Sequence, residues 1–238
     1  MIRTIRYLTA TGLYTAWYGS RAVALALIGV KHQTGGSISD RLQRVWGRKL
    51  LTANRIEVVV GGPGRLPGTP VVYVSNHSSW IDIWALLATL PGSPRFVAKK
   101  ELMKVPLLGQ AMRAIGHVTI DRSNRASAFD SYDRAADAIR GGVSVVVFAE
   151  GTRSRTGRLA PLKKGPFVLA IAAGVPIVPL YCAGTFECLP KGSLSPVPAT
   201  VEIRVGEPIA TAGLDYEARD RLSGQARDAL IGMGAVPA

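Results

Sequence analysis

Cysteine is nearly absent: Cys182 and Cys188 are the only two in 238 residues. That scarcity excludes a disulfide-stapled scaffold, and with no CxxC pair the expectation is reduced thiols. The three histidines, His32, His77 and His117, make no HxxxH or HExxH spacing, so neither a metal nor a cofactor is expected. No GxSxG elbow is present and neither cysteine lies beside a histidine in sequence, which argues against a covalent enzyme intermediate. Aromatic residues make up only 7% of the chain and no recognisable nucleic-acid module is visible, so no nucleic-acid partner is expected. Acidic residues are the scarce charge, 16 against 29 Lys and Arg, for a net charge of +13.

What is present is a chain of 47% hydrophobic and 19% charged residues, long enough to bury a core and too apolar for disorder. The positive excess is uneven. Up to residue 55 nine Lys and Arg face Asp40 alone, a net +8, while the remainder carries twenty against fifteen, a net +5. Such a bias fits the anionic face of a membrane. From Tyr7 to Val30 the residues are apolar or small, interrupted by Arg21. A helix of that length just reaches across a bilayer, but a mid-span Arg costs roughly 2.5–3.5 kcal/mol. Ser39 is a plausible N-cap for a following helix with Leu42, Val45, Trp46 and Leu50 on one side and Arg41, Arg44, Arg48 and Arg55 on another. The pair reads as a membrane anchor lying partly in the interface, with simple packing of both helices on the domain as the alternative. The expected division is therefore 1–55 for membrane anchoring and 56–238 for the catalytic domain.

The stretch GGPGRLPGTP, Gly61 to Pro70, is a turn-rich connector. Pro67 stands where a dinucleotide GxGxxG loop would need its last glycine. Beyond it, apolar runs at Val71–Val74, Arg95–Ala98, Val118–Ile120, Val143–Phe148, Ile177–Tyr181 and Val201–Val205 alternate with helical patterns. Those helices are expected near Trp80–Leu90, Lys104–Ile115, Ala126–Arg140 and Pro166–Ala173. The alternation predicts an α/β fold with a largely parallel central sheet flanked by helices.

The run NHSSWID, Asn76 to Asp82, occupies the turn between the first of these strands and the next helix, at a sheet edge where α/β proteins bind ligands. Ser79 and Asp82 have capping-box spacing, so in isolation the run is also explained as a decorated helix start. His77 adds chemistry. Inside one helix, His77 and Asp82 would lie about 140° apart. Placed just before the cap, the ring can fold back onto Asp82, which would set its tautomer and leave a general base. With no protein nucleophile in sight, that base would act on the hydroxyl of a bound substrate. A second strand end carries EGTRSRTGR, Glu150 to Arg158, where Arg153 can offer a bidentate fork to phosphate. Alone, the loop could be merely solvated. Cations near Lys99 and at Arg122 mark two further strand ends.

These blocks resemble the lysophosphatidic acid (1-acylglycerol-3-phosphate) acyltransferase family. NHSSWID resembles its His-x4-Asp motif, GHVTIDR (Gly116–Arg122) its second block, FAEGTRSRTG (Phe148–Gly157) its third and AAGVPIVPLY (Ala172–Tyr181) its fourth, in the family's order. AKKEL with Pro106 and Gly109 matches the stretch between the first two. The resemblance implies a glycerol-phosphate acyltransferase-like fold, His77 as general base and Asp82 as its orienting partner. It implies that Glu150, Gly151, Thr152 and Arg153, with Arg122 and Lys99, bind the acceptor's phosphate end. It further implies acyl transfer from acyl-CoA or acyl carrier protein to lysophosphatidate at the cytoplasmic face of a membrane. The alternatives are a related acyltransferase with another acceptor, such as a lyso-ornithine lipid, another lysophospholipid or glycerol 3-phosphate, and, more distantly, a non-enzymatic basic lipid- or nucleic-acid-binding module. Thr119 and Ala149 depart from the family's usual residues and place the difference at the acceptor pocket.

Overall fold

The structure is a computed structural model that describes residues 1–30, 37–120 and 125–238. Two helices, α1 (Ile2–Leu27) and α2 (Ile38–Ala53), precede a seven-stranded sheet. The strands are β1 (Ile56–Gly61), β2 (Val72–Ser75), β3 (Pro94–Lys99), β4 (Val118–Ile120), β5 (Ser144–Phe148), β6 (Ile177–Ala183) and β7 (Ala199–Val205). They are joined by α3 (Ile81–Thr89), α4 (Leu108–Ile115), α5 (Arg125–Arg140), α6 (Gly165–Ala173) and α7 (Thr185–Cys188), and α8 (Arg219–Gly232) follows β7.

The sheet order is β1-β7-β6-β2-β5-β3-β4. β2 through β6 run parallel, whereas β7 is antiparallel to β6 and carries β1 parallel to itself. Both faces are covered. β2 and β5 are therefore buried at every residue, as their unbroken apolar runs require. One face packs on α1, α2 and α3 through Tyr7, Leu50, Trp84 and Leu87. The other packs on α5, α6 and α8 through Ile139, Phe167, Leu169 and Leu230.

Several boundaries differ from the sequence expectation for local reasons. The N-cap of α2 is Ser37, not Ser39: its hydroxyl accepts from the Asp40 amide and Asp40 reaches back to the Ser37 amide, while Ser39 lies inside the helix. The helix expected over Lys104–Ile115 is divided into a 3₁₀ turn at Lys100–Lys104 and α4. Pro106 stands between them and biases Val105 to an extended backbone. The connector expected over Gly61–Pro70 lies where expected, and is preceded by an edge strand not foreseen, β1 (Ile56–Gly61), which takes its first residue. Gly64 is required by close approach: a Cβ there would collide with the carbonyl oxygen of Gly206.

The N-terminal helices have a defined direction across the sheet. The start of α2 is tied to the amino end of β3, where Asp40 pairs with Arg95 and accepts from Ser93, and Gln43 donates to the Pro94 carbonyl. α1 runs antiparallel to α2, with Thr15 meeting Trp46 and the later Val23 packing in the cluster with the earlier Leu42. The first turns of α1 therefore lie at the opposite edge, where the parallel strands end.

Candidate active site

Register places the two reactive turns side by side. Ser75 of β2 pairs with Phe148 of β5, so His77 and Glu150, each two residues beyond, leave the sheet together. The turns are cross-linked by their backbones. His77 donates its amide to Glu150 Oε1 at 2.7 Å, and its carbonyl accepts from the Ser154 amide at 2.7 Å. On the other side β6 contributes the anchor: Asn76 Oδ1 accepts from the Cys182 amide at 2.7 Å and Asn76 Nδ2 donates to the Cys182 carbonyl.

The histidine ring is held from two directions. Nδ1 lies 2.7 Å from Asp82 Oδ2, and the ring stacks on Phe148 with centroids 3.8 Å apart. Asp82 is fully buried in the first turn of α3, and the same Oδ2 accepts from the Ser78 and Ser79 amides at 2.8 and 2.9 Å. A carboxylate oxygen only accepts, so Nδ1 carries the proton and Nε2 presents its lone pair. With 13% of its side chain exposed, His77 is shielded yet reachable, and no protein group among the described residues bonds Nε2. Ser79 also caps the turn, accepting from the Ile81 amide and donating to the Leu189 carbonyl. Capping and orientation of the ring thus share the same two residues.

Glu150 is buried, and its two oxygens accept from the His77 and Ala160 amides. Burial, together with the Asp82 charge, raises its pKa against the pull of those amides and of Arg227. Its place is behind the histidine, holding the two turns together, and a carboxylate there would repel rather than bind a phosphate. Gly151 turns the loop with φ of 78°, in the left-handed region that favours glycine. Arg153 lies over the Trp80 ring, 4.7 Å from its centroid. Thr152 is exposed and its hydroxyl accepts from Lys191. Lys99 ends β3 in solvent, two strands from β2 in the sheet order. Arg122 lies outside the described residues, as does His32.

Residues that sequence reasoning left out complete the surroundings. Lys191, in the loop after α7, donates to the Thr152 hydroxyl and the Arg153 carbonyl at 3.3 and 3.2 Å. No local pattern marks it, because the contact spans 38 residues or more. Phe148 and Trp80 stand within the quoted blocks, and only the fold reveals them as platforms for His77 and Arg153. Both cysteines are poor nucleophiles: burial pushes Cys188 to about 11 and Cys182 well above its usual value.

A family model described as Acyltransferase matches residues 57–183, which include both turns. Curated relatives include the 1-acyl-sn-glycerol-3-phosphate acyltransferase of Cocos nucifera, 36% identical over 173 residues, covering 70% of this chain and 56% of that protein. The chloroplastic 1-acyl-sn-glycerol-3-phosphate acyltransferase BAT2 of Brassica napus is 44% identical over 125 residues, covering 52% of this chain and 36% of its own. The chain thus spans about a third to just over half the length of these relatives. Among solved structures, the 1-acyl-sn-glycerophosphate (LPA) acyltransferase PlsC from Thermotoga maritima superposes with a TM-score of 0.76 at 25% identity, over 97% of this chain and 93% of that one.

Proposed function

The chain belongs to the acyltransferase family, and from that premise we propose that it transfers an acyl group from a thioester to the sn-2 hydroxyl of lysophosphatidate, giving phosphatidate. The observation that carries the reading is the 2.7 Å contact between His77 Nδ1 and Asp82 Oδ2, with Asp82 fixed by two amides. His77 Nε2 removes the acceptor's hydroxyl proton as the oxygen attacks the thioester carbonyl, and Asp82 stabilises the imidazolium that forms. The thiolate of acyl-CoA or acyl carrier protein leaves with little need for an acid. Arg153, with the backbone of Gly151 and Thr152, receives the acceptor's phosphate, and Arg122 and Lys99 belong to the same phosphate end by the family resemblance. Glu150 serves as a positioning residue.

The enzyme works at the cytoplasmic surface of a membrane. Among the described residues no helix is long and apolar enough to cross a bilayer, and Ile5, Leu8, Leu13 and Trp17 of α1 are exposed. These features, with the basic excess of the first quarter, support an interfacial pose for α1 and α2.

The test is purified protein assayed with both thioester donors and a panel of lysolipids, beside His77→Ala. The expected result is acyl transfer to lysophosphatidate that disappears in the variant while folding persists. Full activity of His77→Ala would overturn the mechanism. An unchanged KM for lysophosphatidate in Arg153→Ala would instead point to an acceptor without phosphate.

A further inference from the structure

Arg6 of α1 has no role in the site described so far, and its environment is unusual. Its Nε and Nη2 are shielded from solvent yet have no hydrogen-bond partner among the described residues. Shielding guanidinium donors without an acceptor costs free energy, so such a group is suited to an anion that arrives later.

Geometry shows where that anion would sit. The first turns of α1 lie at the carboxyl edge of the parallel strands, above the start of α3. Tyr7 packs on Trp84 with ring centroids 6.0 Å apart. Trp84 is one helical turn beyond Trp80, so both indoles line one face, and Trp80 carries Arg153. Tyr7 is buried among these groups: burial raises the pKa of its hydroxyl, and the Arg153 charge acts against that rise. Tyr7 and the phosphate-loop arginine are thus within electrostatic reach of each other. Around α1, Thr15, which faces α2, lies about 80° to one side of Tyr7, and Arg6 lies about 100° to the other. Arg6 is therefore on the flank turned away from α2, at the same edge as Arg153.

Resting on the lysophosphatidate reading above, we infer that Arg6 is a second guanidinium for the acceptor's phosphomonoester, supplied by the N-terminal helix opposite Arg153. Two cations approaching from different elements match a phosphate dianion better than one, and a phosphate that bridges them ties α1 to the catalytic turns.

The experiment compares wild type with Arg6→Ala and Arg6→Lys, using a short-chain lysophosphatidate below its micelle concentration so that adsorption to vesicles plays no part. The expected result is a KM raised about tenfold or more in Arg6→Ala, with kcat nearly unchanged and partial recovery in Arg6→Lys. Without ligand, Arg6→Ala melts no lower than wild type, because no partner is lost. Excess glycerol 3-phosphate raises the Tm of wild type more than that of Arg6→Ala. An unchanged KM overturns the inference, as does an equal KM rise with a monoacylglycerol acceptor that has no phosphate. Loss of adsorption to phosphatidylglycerol vesicles with an intact KM also overturns it, by assigning Arg6 to the membrane headgroups. If wild type does not acylate lysophosphatidate at all, the acceptor reading fails by itself. The glycerol 3-phosphate protection then decides for or against Arg6.

Discussion

Asp82 has one oxygen that serves three donors, His77 Nδ1 and the amides of Ser78 and Ser79. Asp82→Asn keeps an acceptor for the amides but offers an amide nitrogen or a weaker acceptor to the ring, so the tautomer is no longer dictated. We expect kcat to fall on the order of 10²–10⁴-fold with near-native circular dichroism, because the change alters proton placement more than packing. His117 supplies a pH prediction. Its Nδ1 accepts from the Phe96 amide at 3.0 Å, and burial with the nearby Arg95 charge lowers its pKa to about 3, opposed by Asp40. The native state keeps this ring neutral while the unfolded chain protonates it below its ordinary value of 6.5. Stability is therefore lost as pH falls from 6.5 toward about 3, with a contribution of at most ~1.4 kcal/mol per pH unit. Urea titrations at several pH values should show a shallower acid slope in His117→Asn. At this scale the pairing of His77 with Asp82 was legible in the sequence, since a spacing of five leaves no shared helix face while a ring placed just before the cap can fold back onto the carboxylate. It could not reveal that Glu150 holds main-chain amides, because that role depends on the register of β2 against β5.

Helix α2 packs on α3 through Gly47. A Cβ there would stand 2.8 Å from the Trp84 carbonyl oxygen and 3.2 Å from Leu87. In an exposed helix, Gly→Ala gains up to about 1 kcal/mol. Here the clash reverses the sign, and we expect Gly47→Ala to lower stability by about 1–3 kcal/mol in chemical denaturation. The main parallel strands and α3, α5 and α6 were readable within a few residues from apolar runs, from Pro166 in the first turn of α6 and from Gly174 after it. The elements left out are those whose pattern is weak in isolation. β1 is an edge strand with only its first residue, Ile56, buried, paired with β7 more than a hundred residues away. α8 buries only Leu222, Ser223, Ala226 and Leu230 in an otherwise polar stretch. The choice of Ser37 over Ser39 as the N-cap was decided by Asp40, which completes the capping box with Ser37 and pairs with Arg95 at once.

Across the whole molecule, the basic excess and the exposed apolar residues of α1 predict salt-sensitive adsorption to anionic vesicles. Binding should weaken as ionic strength rises from 0.05 to about 0.5 M, because surface attraction is screened beyond about 10 Å at 0.1 M. Leu13→Glu should reduce binding further without lowering stability, since Leu13 is exposed; sedimentation with phosphatidylglycerol vesicles measures both. The amino-acid sequence by itself determined the α/β class, the strand ends that carry the two turns and the closeness of His77 to Asp82. These depend on local periodicity, helix-end geometry and residue chemistry, all properties of neighbours along the chain. Tertiary structure alone decided that Glu150 accepts from the His77 and Ala160 amides, that Lys191 braces the arginine loop, and that α1 brings Tyr7 onto Trp84. Those facts arise from strand register and from the direction in which one helix crosses another, and no local pattern encodes them, because each joins residues that only the folded sheet brings together.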